Sequence, residues 1–145
     1  MRSRRPASSI PEVAIVDAVE KYFTTRGFGP VLREVQAGER FVDLMCADPS
    51  TGDVYAVEAK VSATQRAFQQ AERYQLIADY SLVAMPYRAK NSTALTLAKE
   101  TGIGLLLVDV AGHGIQRVDV CSPPIRSQSK LAGIAAGVWA SRITR

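Results

Sequence analysis

The segment Asp48-Pro49-Ser50-Thr51-Gly52-Asp53 constrains this chain more than any other, because it separates two apolar runs that are each short enough to be a strand. Its proline, glycine and side-chain oxygens supply the backbone angles and local hydrogen bonds of a hairpin loop. The flanking runs are Arg40 to Ala47 and about Val54 to Ser62. A third run, about Val31 to Gln36, joins the first through the tight Ala37-Gly38 connection. An antiparallel three-strand meander is expected. Alternation along strands places Phe41, Asp43 and Met45 on one face of the second strand, and Glu58 with Lys60 on one face of the third.

Before the meander, Ser8-Ser9-Ile10-Pro11 offers an N-cap and a first-turn proline, and apolar residues recur at helical spacing from Pro11 to Arg26, up to Gly27. Val16, Val19 and Phe23 share one stripe, and Glu12 sits one turn ahead of Val16 on it. After the meander, Ala63 to Ala78 contains neither glycine nor proline and reads as a second helix. Tyr80 to Met85, closed by Pro86, reads as a strand, Thr93 to Glu100 as a helix ended by Gly102, and Ile103 to Val110 as a buried strand. Strands joined through helices pair in parallel by right-handed crossovers, so the sheet should be mixed.

Ala111-Gly112-His113-Gly114 turns the chain into an edge strand, Ile115 to Val120, and Leu131 to Arg142 reads as a last helix carrying Trp139. His113, between two glycines, reads as a turn residue. The expectation is an α/β fold of order αβββαβαβ with a further strand and helix. Its body spans residues 11–121, with a basic tail at 1–10 and a basic segment at 122–145.

With 145 residues, 47% of them hydrophobic, one core can close. The two cysteines form neither a disulfide framework nor a zinc spacing, no apolar run approaches the roughly 20 residues of a membrane span, and the N-terminus lacks the apolar stretch of a signal peptide. A soluble, cytoplasmic protein with no membrane partner is expected. The net charge of +4 is unevenly spread: Arg2, Arg4, Arg5, Arg126, Lys130, Arg142 and Arg145 lie outside residues 6 to 125, which carry 11 cations and 14 acids. Basic tails suit a phosphate backbone, and equally a solubilising end.

Fourteen residues separate Asp43 from Glu58-Ala59-Lys60, which is set in the apolar run Val57-Glu58-Ala59-Lys60-Val61. Burying charge costs several kcal/mol unless it is paired or bound to metal. Two carboxylates converging from adjacent strands can hold Mg²⁺ through oxygen ligands, and a lysine beside them can orient or deprotonate a water and offset transition-state charge.

Phe41-Val42-Asp43-Leu44-Met45 followed by Val57-Glu58-Ala59-Lys60-Val61, in this order of elements, resembles the PD-(D/E)XK, or restriction-endonuclease-like, nuclease superfamily over roughly residues 11 to 110, with Val42 at the position of the eponymous proline. Gln70-Ala71-Glu72-Arg73-Tyr74 is similar to the Gln-x-x-x-Tyr motif of RecB-like members. Helical spacing puts Gln70 and Tyr74 on one face with Ala67 and Ala71. Resolvase-like members carry a glutamate early in the first helix, roughly thirty residues before the motif aspartate, a position that Glu12 matches; Glu20, which points off the apolar stripe, is the other candidate, and Asp17 a poorer one.

The resemblance implies a Mg²⁺-dependent deoxyribonuclease, endo or exo, serving DNA repair, recombination, phage or defence, with Mn²⁺ able to substitute. Asp43, Glu58 and Glu12 would ligate the metal, with Lys60, Gln70 and Tyr74 completing the catalytic group. Arg2, Arg4, Arg5, Arg66 and Arg73 would contact nucleic acid. DNA is the expected partner, RNA stays open, and likeness to Holliday-junction resolvases raises a homodimer. The competing readings are a catalytically inactive nuclease-fold module that binds nucleic acid or protein, and an unrelated α/β interaction domain with surface charge pairs on its strands.

Overall fold

A computed structural model describes residues 11–62, 64–110 and 116–128. Helix α1 (Glu12–Thr25) precedes three strands, β1 (Val31–Ala37), β2 (Arg40–Ala47) and β3 (Val54–Ala59). Helix α2 (Gln65–Arg73), strand β4 (Tyr80–Pro86), helix α3 (Ser92–Thr101) and strands β5 (Gly104–Val110) and β6 (Gln116–Ser122) follow. The six strands lie side by side in chain order. β1, β2 and β3 pair antiparallel, β3, β4 and β5 parallel, and β6 returns antiparallel along the edge. The expected mixed α/β sheet is the one found.

The sheet divides two cores. On one face, Ala67, Phe68 and Ala71 of α2 and Ala94 and Ala98 of α3 pack with Met45, Val83, Met85, Leu105 and Leu107. On the other, Ile15, Ala18, Val19 and Phe23 of α1 pack with Leu44, Cys46, Val57, Ala84, Leu106 and Val108. Both crossover helices lie on one face because a chain that adds parallel strands in one direction with one handedness must cross on one side. The mean cost of truncating such core side chains, about 2–5 kcal/mol for Leu→Ala and about 3–5 for Phe→Ala, locates the fold's stability in these two layers.

Local rules explain most ends. Thr64 caps α2 by accepting the Ala67 N–H at 3.2 Å, and Asn91 caps α3 by accepting that of Ala94 at 2.7 Å. Gly102, at φ 77°, closes α3 in the left-handed conformation that glycine adopts without cost.

Three expectations change. The N-cap of α1 is Pro11, which has no side-chain acceptor to offer, rather than a residue of the preceding Ser-Ser pair, which lies outside the described residues. α2 stops at Arg73 and tightens into a 3-10 turn over Tyr74–Leu76, where Ile77 and Ala78 both donate to the Tyr74 carbonyl. β3 ends at Ala59, so Lys60 is one residue beyond it, its N–H still donating to the Ala84 carbonyl of β4 at 2.9 Å. The final helix with Trp139, the turn at His113, and the tail arginines Arg2, Arg4 and Arg5 also lie outside the described residues.

Candidate active site

The register of the meander fails at one place on each side of Asp43. Between β1 and β2, the pairs Arg33↔Leu44 and Val35↔Val42 are formed while Glu34, opposite Asp43, is skipped and sits at φ 49°. A non-glycine residue in that region is strained by about 1 kcal/mol or more, which the paired residues on both sides must sustain. Between β2 and β3, pairing ends at Leu44↔Val57. Beyond it the Asp43 carboxylate takes the place of the ladder, its Oδ2 accepting the Ala59 N–H at 2.8 Å.

This break also shifts the phase of alternation. Met45 and Val42, an odd number of residues apart, both belong to the core under α2 and α3. Phe41, expected to share a face with Met45, instead stands 55% exposed and lines a recess with Glu12, Val13 and Val16 of α1. The recess measures about 360 Å³ and is completed by Arg33, Glu34 and Asp43.

Glu58 occupies the position opposite Asp43 and is buried. Its Oε1 accepts the Tyr74 hydroxyl at 2.5 Å, and its Oε2 lies 3.3 Å from Lys60 Nζ. Both oxygens of a buried carboxylate are therefore engaged, as burial demands. Lys60 is far more open, its side chain 39% exposed against 6% for Glu58, so one end of this pair faces solvent. Gln70, one turn before Tyr74 on α2, hydrogen-bonds to the phenol as well and accepts from Arg40 Nη1 at 3.1 Å.

Electrostatics mark the same place. Burial raises the Asp43 carboxyl from 3.8 to about 6, with Glu58 and Glu12 adding to the rise and the Ala59 N–H and Lys60 opposing it. Burial, then the bond to Glu58, drives the Tyr74 phenol well above its usual value, so it stays a donor. A carboxyl shifted toward neutrality by burial and two like charges is a group whose charged form is short of a cation.

Of the residues singled out in the sequence, Asp43, Glu58, Lys60, Gln70 and Tyr74 are brought together by these contacts. Glu12 is exposed at the rim, sharing the recess with Asp43. Among the described residues no three His, Cys, Asp or Glu side chains converge closely enough to hold an ion alone. Glu20 is drawn away: with Asp17 it pairs with Arg33. Arg66 and Arg73 are exposed on α2. Sequence reasoning missed Glu34 and Arg40; a strained non-glycine leaves no sequence signal, and strict alternation hid the arginine.

No protein-family model matches the chain, and no curated protein does either. Solved structures do. One is SPO1766, a protein of unknown function from Silicibacter pomeroyi, with TM-score 0.65 at 19% identity over 94% of this chain and 88% of that one. A repair endonuclease from Pyrococcus abyssi matches with TM-score 0.51 at 20% identity over 72% of this chain. EndoMS in complex with double-stranded DNA matches with the same score, identity and coverage of this chain. The fold is restriction-endonuclease-like. The chain spans 48% and 46% of the two endonuclease chains, so the likeness concerns a domain within them.

Proposed function

We propose that this restriction-endonuclease-like domain is a metal-dependent nuclease that hydrolyses phosphodiester bonds in DNA. The observation that carries the reading is the interruption of the β2–β3 ladder, where the carboxylates of Asp43 and Glu58 meet Lys60 at the open end of a buried strand pair. A fold needs no such arrangement for stability, because apolar residues there would be at least as favourable.

The donor set fits a hard divalent cation. Both ligands are carboxylate oxygens, one on a buried side chain and one shifted upward by burial and then by its like-charged neighbours, with no thiolate or imidazole beside them to favour zinc. Asp43 and Glu58 would hold Mg²⁺ or Mn²⁺, the remaining positions falling to water, backbone oxygen and substrate. The ion would supply water activation at neutral pH and neutralisation of charge on the phosphate. Glu12, at the rim, would add negative charge or a water-mediated contact.

The chain's own groups do the rest. Tyr74 fixes the rotamer of Glu58 by donating to one oxygen, leaving the other for Lys60 or the cation. The Ala59 N–H pins Asp43 in the same way. Lys60, held beside Glu58 yet open to solvent, orients the attacking water and offsets charge as the phosphorus becomes five-coordinate. Arg66 and Arg73 on α2, and the tail arginines Arg2, Arg4 and Arg5, would neutralise flanking phosphates.

Purified protein incubated with linear, nicked, single-stranded and branched DNA, and with RNA, in Mg²⁺ or Mn²⁺ tests the reading and identifies the substrate. Metal-dependent cleavage of a DNA form supports it. Tight binding of DNA without cleavage under any condition would favour an inactive binding module on the same fold.

A further inference from the structure

Arg40 opens β2, three residues before Asp43, and is exposed. Its Nη1 donates to Gln70 Oε1. Among the described residues, Arg33, Arg117 and Arg126 form ion pairs with carboxylates, whereas Arg40, like Arg26, Arg66, Arg73 and Arg88, forms none within 4 Å; Arg40 is the one held by a side-chain amide. Its partner is a neutral amide.

We propose that Arg40 is a phosphate anchor, gripping the DNA backbone beside the bond that is cut. The proposal rests on the nuclease reading above and adds to it a residue that the motif does not contain.

A carboxylate partner would cancel the guanidinium's charge and would have to be displaced by substrate. An amide orients the side chain and leaves the charge intact. Of the five guanidinium N–H donors one serves Gln70, and the others form the fork that matches two oxygens of a phosphate. Holding a long side chain in place beforehand also lowers the entropic cost of binding, about 0.5–1.5 kcal/mol for a rotamer-rich side chain.

The position follows from the break in β2. Strict alternation would send Arg40 and Asp43 to opposite faces. The shift of phase at Glu34 and Asp43 instead turns Arg40, with Val42, toward α2, the helix that supplies Tyr74 to Glu58. Three residues of strand span about 10 Å at ~3.3 Å per residue, the scale of a neighbouring phosphate rather than the scissile one.

Gln70 has a direction imposed on it. Its carbonyl accepts from Arg40, so its NH₂ faces the Tyr74 oxygen, whose own hydrogen goes to Glu58. The donors run Arg40 to Gln70 to Tyr74 to Glu58, so the anchor and the metal-binding carboxylate share one support.

The test measures binding of a short fluorescent DNA duplex in Ca²⁺, and cleavage in Mg²⁺, between about 50 and 200 mM salt. Arg40→Ala should weaken binding about tenfold, place the loss in KM rather than kcat, and reduce the slope of log affinity against log salt by about 0.9, the value of one lost phosphate contact. Arg40→Lys should restore the slope but only part of the affinity, because charge returns without the fork. Gln70→Leu should keep the slope and weaken binding. An Arg40→Ala protein with wild-type KM and slope overturns the anchor while leaving the nuclease reading intact. A wild-type protein that neither binds nor cuts DNA overturns both.

Discussion

Tyr74 donates its hydroxyl to Glu58 Oε1 at 2.5 Å, joining the first residue of the 3-10 turn that closes α2 to a buried carboxylate of β3. Tyr74→Phe removes only this oxygen. We expect a folded protein less stable by about 1–3 kcal/mol, the cost of leaving a buried partner underused. Cleavage should slow by about tenfold as Glu58 loses its fixed orientation. Thermal unfolding and single-turnover rates measure the two effects; an unchanged rate would make the tyrosine a packing residue.

The Asp43 carboxyl, raised to about 6 by burial and its like-charged neighbours, gives a signed pH dependence. A carboxyl with a folded value above its unfolded one destabilises the metal-free fold once ionised, so this contribution to stability is lost as pH rises from about 4 through 6. Asp43→Asn should therefore stabilise the metal-free protein at pH 7, by on the order of 1 kcal/mol once screening of a half-exposed group is allowed for. Metal affinity should run the other way, falling as pH drops through about 6, where the ligand becomes protonated. Calorimetric metal titrations at several pH values check this, and a flat profile contradicts it.

Glu12 and Glu20 should separate cleanly. Glu12 shares the recess with Asp43, so Glu12→Gln should slow metal-dependent cleavage at least tenfold, or about 1.4 kcal/mol of transition-state stabilisation. Glu20 is committed to Arg33, and Glu20→Gln should leave the rate near wild type while costing at most about 1 kcal/mol of stability. Parallel rate measurements on the two variants decide it; a sensitive Glu20 would contradict the assignment.

The basic tail offers a graded test. Removing residues 1 to 7 deletes Arg2, Arg4 and Arg5, which should weaken nucleic-acid binding and flatten its salt dependence without changing sequence preference. An unchanged slope would assign the tail to solubility.

Much of this was legible because it rests on local chemistry. The Asp-Pro-Ser-Thr-Gly-Asp turn, the alternating runs and the Gly102 stop report backbone preferences of a few neighbouring residues, and β2 falls at Arg40–Ala47 as expected. The pairing of Glu58 with Lys60 and the inward face of Tyr74 follow from periodicity. What periodicity cannot carry is a break in it. Glu34 at positive φ and the end of the ladder at Leu44↔Val57 are tertiary compromises, and they moved Phe41 away from Met45's face. They also brought Arg40 to Gln70, which no spacing rule would have suggested.

The central claim is tested most directly by cleavage of DNA with wild type, Glu58→Gln and Lys60→Met purified side by side, each with Mg²⁺, with Ca²⁺ and with EDTA. The account predicts cleavage by wild type in Mg²⁺ alone, binding without turnover in Ca²⁺, and loss of cleavage in both folded variants. Full activity of Glu58→Gln, or undiminished activity in EDTA, would contradict it.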